Sequence, residues 1–263
     1  MKKRLTLIQM DVHVNDVEYN YNRVQELLSQ SLSENPDIII LPETWNTGFY
    51  PSRELINISD KNGERTKSLL STFAKEHNVN IVGGSVAVAK NDVVFNTSYT
   101  YNRNGELVGE YSKMHGFSPA KEDQYFAGGK HTTHFELDGI PCSTVICYDI
   151  RFPELVRMAA LPGTELLFVP AQWPTMRLRH WQVLNEVRAI ENQLFLCAVN
   201  GCGTVGRVQS TGHSAVYDPW GTNLLEMDTN EGIASVDIDL TVVEDIRSKI
   251  NIFRDRKPEL YNL

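Results

Sequence analysis

Two kinds of apolar run alternate along this chain. The first kind is short and nearly continuous: RLTLIQMDV (4–12), PDIIILPE (36–43), VNIVGGSVAV (79–88), PCSTVICYD (141–149), TELLFVPA (164–171) and LFLCAVN (194–200). Runs of this length with little polar alternation predict strands buried on both faces. The second kind has helical spacing. After Asp16, a predicted N-cap, Val17, Tyr21, Val24, Leu28 and Leu32 recur at intervals of three or four, which predicts a helix. GERTKSLLSTFAKEHN (63–78), PELVRMAAL (153–161) and RLRHWQVLNEVRAIENQ (177–193) predict others. NTSYTYNRNGELVGEYSK (96–113) reads as two strands joined at Asn104-Gly105. GHSAVYDPWGTNLLEM (212–227) reads as a hairpin turning at Pro219–Gly221, followed by the strand GIASVDIDL (232–240).

Each half therefore runs β-α-β-α-β and then continues in strands. Two such halves imply two sheets packed face to face with helices outside, an α/β fold of the four-layer αββα sandwich type. No linker or low-complexity stretch interrupts it, so residues 1–263 are expected to form a single domain.

Composition narrows the function. With 263 residues, 41% hydrophobic and 22% charged, the chain can bury a sizeable core without staples. A net charge of −8 argues against a nucleic-acid or anionic-membrane surface. No stretch approaches the ~20 apolar residues of a membrane span. MKKRLTLIQMDVHV lacks the long apolar core and small-residue cleavage site of a signal peptide. Cys142, Cys147, Cys197 and Cys202 are spaced C-x4-C twice, which is neither a dense disulfide framework nor a zinc pattern. A cytoplasmic protein with free thiols is expected.

Three chemically complementary residues sit where strands give way to loops: Glu43 in IIILPET, Lys113 in GEYSKMHGF and Cys147 in STVICYDIRFPEL. A free thiol leaves little thiolate at neutral pH, so a cysteine nucleophile needs a base. A glutamate can take its proton, and a lysine ammonium can stabilise both the thiolate and a tetrahedral oxyanion. The backbone N–H of Tyr148, directly after the cysteine, is placed as a second oxyanion donor. Such a set would hydrolyse an amide through a thioester, with no metal and no cofactor.

IIILPETWNTGF, GEYSKMHGF, VICYDIRFPEL and the tail FRDRKPELY resemble the carbon–nitrogen hydrolase, or nitrilase, superfamily, in order and over essentially the whole chain. The resemblance implies a Glu-Lys-Cys triad at Glu43, Lys113 and Cys147, with Glu122 of SPAKEDQYFAGG in support. It also implies an αββα protomer that pairs into a homodimer, the tail from about residue 250 to 263 packing on the partner subunit. LPETWNTGF, CYDIRFPEL and AQWP look closest to the ω-amidase branch, which cleaves the terminal amide of small dicarboxylic-acid monoamides such as 2-oxoglutaramate or 2-oxosuccinamate. N-carbamoyl amino acids and deaminated glutathione are the alternative substrates, and a non-catalytic binding protein is the alternative role. Arg151 has the bidentate fork to clamp a substrate carboxylate, or else pairs with Glu154 or Asp149. Arg177 and Arg179 are weaker candidates for the same task. Trp173 is expected to wall the pocket.

Other patterns point elsewhere. GCGTVG (201–206) is a literal G-x-G-x-x-G, but the residues after it lack helical periodicity, and a dinucleotide site needs a helix there. His115, His131 and His134 leave open a Cys-His hydrolase. His131 and His134 as a metal pair lack a third ligand.

Overall fold

The computed structural model describes residues 1–49, 51–205 and 208–261. In the first half the strands are β1 (Lys2–Gln9), β2 (Ile38–Ile40), β3 (Asp60–Lys61), β4 (Asn80–Val82), β5 (Val86–Lys90), β6 (Val93–Tyr101) and β7 (Leu107–Ser112). Between them lie helices α1 (Val17–Ser31), α2 (Leu55–Ile58) and α3 (Glu64–His77). The second half contributes β8 (Phe135–Leu137), β9 (Ile140–Thr144), β10 (Leu166–Ala171), β11 (Phe195–Asn200), β12 (Thr204–Val205), β13 (Val208–Gln209), β14 (Ala215–Tyr217), β15 (Asn223–Glu226) and β16 (Gly232–Asp239). Its helices are α4 (Pro153–Ala160), α5 (Leu178–Asn192), α6 (Thr241–Lys249) and α7 (Ile252–Asp255).

Among the described residues, eight strands form one sheet in the order β16-β1-β2-β4-β6-β5-β3, with β7 also on β6, and six form another in the order β15-β14-β11-β10-β9-β8. The continuous apolar runs explain the layering. Ile38 and Ile40 face the second sheet and join a core with Leu5, Leu7, Phe168 and Val199. Ile39, one residue out of phase, faces α1 and α3 and packs with Val24, Leu28 and Phe73. The second sheet repeats this: Leu166 and Phe168 face inward, while Leu167 and Val169 pack with Leu155 and Val156 of α4 and Trp181 of α5. Period-two alternation between two apolar environments is why these central runs are nearly continuous in apolar residues. Each such fully buried aliphatic contributes about 1.5–3 kcal/mol.

Asp16 caps α1 as expected, its carboxylate accepting the Tyr19 N–H at 3.2 Å. Several other expectations are corrected. VNIVGGSVAV is not one strand: β4 runs parallel to β2, β5 runs antiparallel to β6, and Gly83–Ser85 turn between them. GIASVDIDL is a strand as expected, and it lies at the edge of the first sheet. It forms β16, which returns to pair antiparallel with β1 from Lys2–Asp239 to Gln9–Gly232. The strands expected to end on Glu43 and Cys147 stop at Ile40 and Thr144, leaving Glu43 in a loop and Cys147 at the start of a 3-10 turn. In agreement with the missing helical periodicity, Gly201 to Val205 enters the small β12–β13 pair and not a helix; Gly206, the last glycine of that motif, lies outside the described residues. In the tail, Phe253 of α7 packs against the chain's own second-sheet core, while Leu260 and Tyr261 are exposed. The last two positions of the tail lie outside the described residues.

Candidate active site

The loops after β2, β7, β9 and β10 meet at one end of the sandwich. Glu43 arrives on the loop after β2, fully buried. Its Oε1 accepts from Lys113 Nζ and from Asn96 Nδ2, both at 2.8 Å, and its Oε2 accepts the Gln172 N–H at 2.8 Å. The Glu43 carbonyl also accepts from Gln172 Nε2 at 3.0 Å, which ties this loop of the first sheet to the end of β10 in the second. Lys113 directly follows β7, whose ladder it extends by donating its N–H to Asn96 O at 2.9 Å. Its ammonium donates to both oxygens of Glu122 at 2.8 Å as well as to Glu43. Glu122 is fixed in turn by the Phe117 N–H at 2.6 Å.

Cys147 opens a 3-10 turn, Cys147–Arg151, that leads into α4, with Pro153 as the first residue of the helix. Its φ of +48° is a left-handed conformation that a non-glycine residue holds only when its surroundings enforce it. Asp149 supplies much of that enforcement. Its Oδ2 accepts the Ile146 N–H at 3.1 Å and the Tyr111 hydroxyl at 2.7 Å. Its Oδ1 accepts the His115 N–H at 3.0 Å and lies 2.8 Å from His115 Nδ1. One carboxylate thus pins the cysteine turn to the loop that carries Lys113.

Burial, reinforced by the Glu43 carboxylate, pushes the Cys147 thiol well above its ordinary pKa, with Lys113 opposing. Burial works against the Lys113 ammonium, but Glu43 and Glu122 outweigh it and hold its pKa well above the usual lysine range. Glu122 is raised, by burial against the pull of Lys113 and with the push of Glu43. The resting state is therefore a protonated thiol beside a charged lysine.

Cys147 and Lys113 line a largely apolar cavity of about 400 Å³ together with Tyr148, Trp173, Arg151 and Arg177. Trp173 is buried in the wall, its indole N–H donating to Arg177 O at 2.9 Å. Arg151 stacks on Trp173, 4.7 Å from the ring centre, and donates to His180 Nδ1 at 3.2 Å. Asp149 is fully engaged elsewhere, and among the described residues Arg151 forms an ion pair with neither it nor Glu154. The Tyr148 amide leads the 3-10 turn, where N–H groups have no partner within the turn.

The structure thus brings Glu43, Lys113, Cys147 and Glu122 together, with Tyr148, Arg151 and Trp173 around the same cavity. His115 instead stacks on Phe152 at 3.7 Å and pairs with Asp149, and His131 and His134 are exposed. Asn96 and Gln172 escaped the sequence reading, and Asp149 entered it only as an alternative partner for Arg151. Asn96 alone gave a signal, an amide in the middle of the otherwise strand-forming VVFNTSYTY.

A profile of the carbon–nitrogen hydrolase family matches residues 4–248. The 2-oxoglutaramate amidase of Bacillus subtilis (strain 168) is 40% identical over 261 residues, 99% of this chain and 100% of the relative. Omega-amidase NIT2 of Homo sapiens is 29% identical over 267 residues, 98% of this chain and 96% of the relative. Among solved structures, XC1258 from Xanthomonas campestris, a CN-hydrolase superfamily protein with an arsenic adduct in the active site, superposes with a TM-score of 0.90 at 30% identity, covering 98% of each chain.

Proposed function

The chain belongs to the carbon–nitrogen hydrolase family and hydrolyses amide carbon–nitrogen bonds; we propose that Cys147 is its nucleophile, Glu43 its general base and acid, and Lys113 its electrostatic partner. The reading rests on one observation above all: Glu43, buried beside Cys147, is hydrogen-bonded at 2.8 Å to Lys113, and Lys113 and Cys147 line one cavity. Because the resting thiol keeps its proton, Glu43 takes that proton as Sγ attacks the carbonyl carbon. The oxyanion forms between the Lys113 ammonium and the Tyr148 N–H. Collapse breaks the C–N bond, and the proton on Glu43 leaves with the nitrogen as ammonia. Glu43 then deprotonates water, which attacks the thioester and regenerates the Cys147 thiol with release of the acid. Glu122 holds Lys113 in place throughout. None of these steps needs a metal or cofactor.

For substrate we favour a small dicarboxylic-acid monoamide such as 2-oxoglutaramate or 2-oxosuccinamate. Full-length similarity to a 2-oxoglutaramate amidase supports this, as does Arg151, whose fork faces the cavity and suits a carboxylate. Trp173 gives that guanidinium an aromatic backing. We read residues 1–263 as one domain that works as a homodimer in the cytoplasm. Met158 of α4, Leu161 at its C-cap, Val187 and Ile190 of α5, and Leu260 and Tyr261 of the tail are exposed apolar groups suited to a partner subunit. No helix among the described residues is long and apolar enough to cross a membrane.

The test is a panel of ω-amides, N-carbamoyl amino acids, deaminated glutathione and nitriles scored for ammonia and carbon dioxide, with rapid-quench intact mass. Ammonia without carbon dioxide from the ω-amides, with an acyl adduct on Cys147 that Cys147→Ala abolishes, is the expected result. An adduct on another cysteine would refute the assignment of the nucleophile, and preferential release of both gases would move the substrate to carbamoyl amino acids.

A further inference from the structure

The charged side chains lining the cavity are Lys113, Arg151 and Arg177, and no carboxylate lines it among the described residues. Lys113 is already matched by Glu43 and Glu122 behind it. Two guanidiniums therefore face the cavity uncompensated, in a chain whose net charge is −8. Arg177 ends a short turn, Thr175–Arg177, and its guanidinium lies 5.0 Å from the centre of the Phe117 ring, whereas Arg151 lies against Trp173. Among the described residues neither forms an ion pair. Each is backed by an aromatic face, which supports a cation without neutralising it. Burial and the nearby Arg177 both disfavour the Arg151 charge. Like charges held in one partly dry cavity repel, and an anionic ligand relieves that cost.

We propose that Arg177 is a specificity-determining residue, working beside Arg151 to read a substrate head that offers two adjacent acceptors, a carboxylate and the 2-oxo oxygen next to it. This rests on the monoamide reading above and goes further by separating 2-oxo acids from plain ones. Arg151 takes both carboxylate oxygens through its fork, and the guanidinium on the Phe117 side then meets the neighbouring ketone oxygen. A monoamide without the ketone leaves the half-buried Arg177 guanidinium without that acceptor, and sites built to hydrogen-bond a group discriminate against analogues that lack it.

The experiment compares 2-oxosuccinamate with succinamate, the same chain without the ketone, on the wild-type protein, Arg177→Met and Arg177→Lys. Arg177→Met is expected to lower kcat/KM for 2-oxosuccinamate on the order of tenfold more than for succinamate, chiefly through KM, because a hydrogen bond to a charged group is lost. Arg177→Lys should recover part of the difference by keeping the charge. A readout free of turnover accompanies it: oxaloacetate should protect Cys147 from iodoacetamide better than succinate does, and Arg177→Met should erase that preference. Equal losses on the two amides, a fall in kcat with KM unmoved, or protection that Arg177→Met leaves intact would each overturn the proposal. If the wild-type protein hydrolyses neither acid amide, the substrate reading fails and this one with it. If it hydrolyses both and Arg177→Met changes neither, only the role of Arg177 fails.

Discussion

At the scale of single residues, the site is governed by who holds a proton. The Cys147 thiol is pushed up first by burial and then by Glu43, against the pull of Lys113. A carboxylate beside a thiol disfavours the thiolate, so removing its charge must lower the thiol pKa even as it removes the proposed base. Glu43→Gln should therefore shift the pH profile of iodoacetamide alkylation at Cys147 towards lower pH. The same variant should lose amidase activity by about 10²–10⁴-fold, the usual worth of general acid–base catalysis. An alkylation profile that stays put or moves upward would show that Glu43 does not face the thiol as described. The sequence offered the three residue types at loop starts. It gave no view of Gln172, whose backbone N–H fixes the second oxygen of Glu43 across 129 positions of chain.

At the scale of elements, the loops are held as tightly as the strands. Gly84 has a φ of +60°, and a Cβ there would lie 2.0 Å from Pro42 O, next to Glu43. The adjoining residues zip the two loops together: Ser85 N–H donates to Pro42 O at 3.0 Å, Thr44 N–H to Ser85 Oγ at 3.0 Å, and Trp45 N–H to Ser85 O at 3.1 Å. Gly84→Ala is expected to cost at least about 1–3 kcal/mol from backbone strain alone, read by urea unfolding. It should also reduce kcat by displacing Glu43 from the reacting carbonyl. An unchanged urea midpoint would refute the close approach. The Gly-Gly pair in VNIVGGSVAV was the visible mark of this break, since adjacent glycines interrupt strands. The run of valines around it reads as a single strand because periodicity weighs apolar content and not backbone conformation.

At the scale of the whole molecule, the end of the sandwich near the chain start is closed by a charge network that spans both sheets. Arg103, in the turn between β6 and β7, donates to Asp37 at the entrance to β2 and to Asp138 in the turn between β8 and β9. Lys3 of β1 donates to the same Asp138 at 2.6 Å. Burial opposes the charge on Asp138, but Arg103 and Lys3 prevail and hold its pKa well below the usual carboxylate range. A depressed folded-state pKa gives stability that is present above the unfolded value of about 3.9 and fades as pH falls towards the folded one. Asp138→Asn should thus destabilise the protein by about 1–3 kcal/mol at neutral pH, the worth of hydrogen bonds to charged groups. The gap from the wild type should narrow below about pH 4, as followed by urea unfolding across pH. A gap independent of pH would mean that the ion pairs contribute nothing.

What the sequence determined by itself is what neighbours a few positions apart decide. The 3.6-residue spacing of α1, the Asp16 cap, the turn around Asn104-Gly105 and the double-faced apolar strands are all local, and each was legible. The residue types at Glu43, Lys113 and Cys147 marked out one site by their complementarity, and the fold brings the three together. Tertiary structure alone decided that β16 crosses back to β1, that GGS breaks a strand in two, and that Asp149 locks the cysteine turn to the lysine loop. It also decided that Arg177 shares a cavity with Arg151. The reason is physical: propensity and periodicity act over one or two turns of chain, whereas a hydrogen bond between Glu43 and a group 70 or 129 residues away acquires its strength only after two sheets have closed and excluded water.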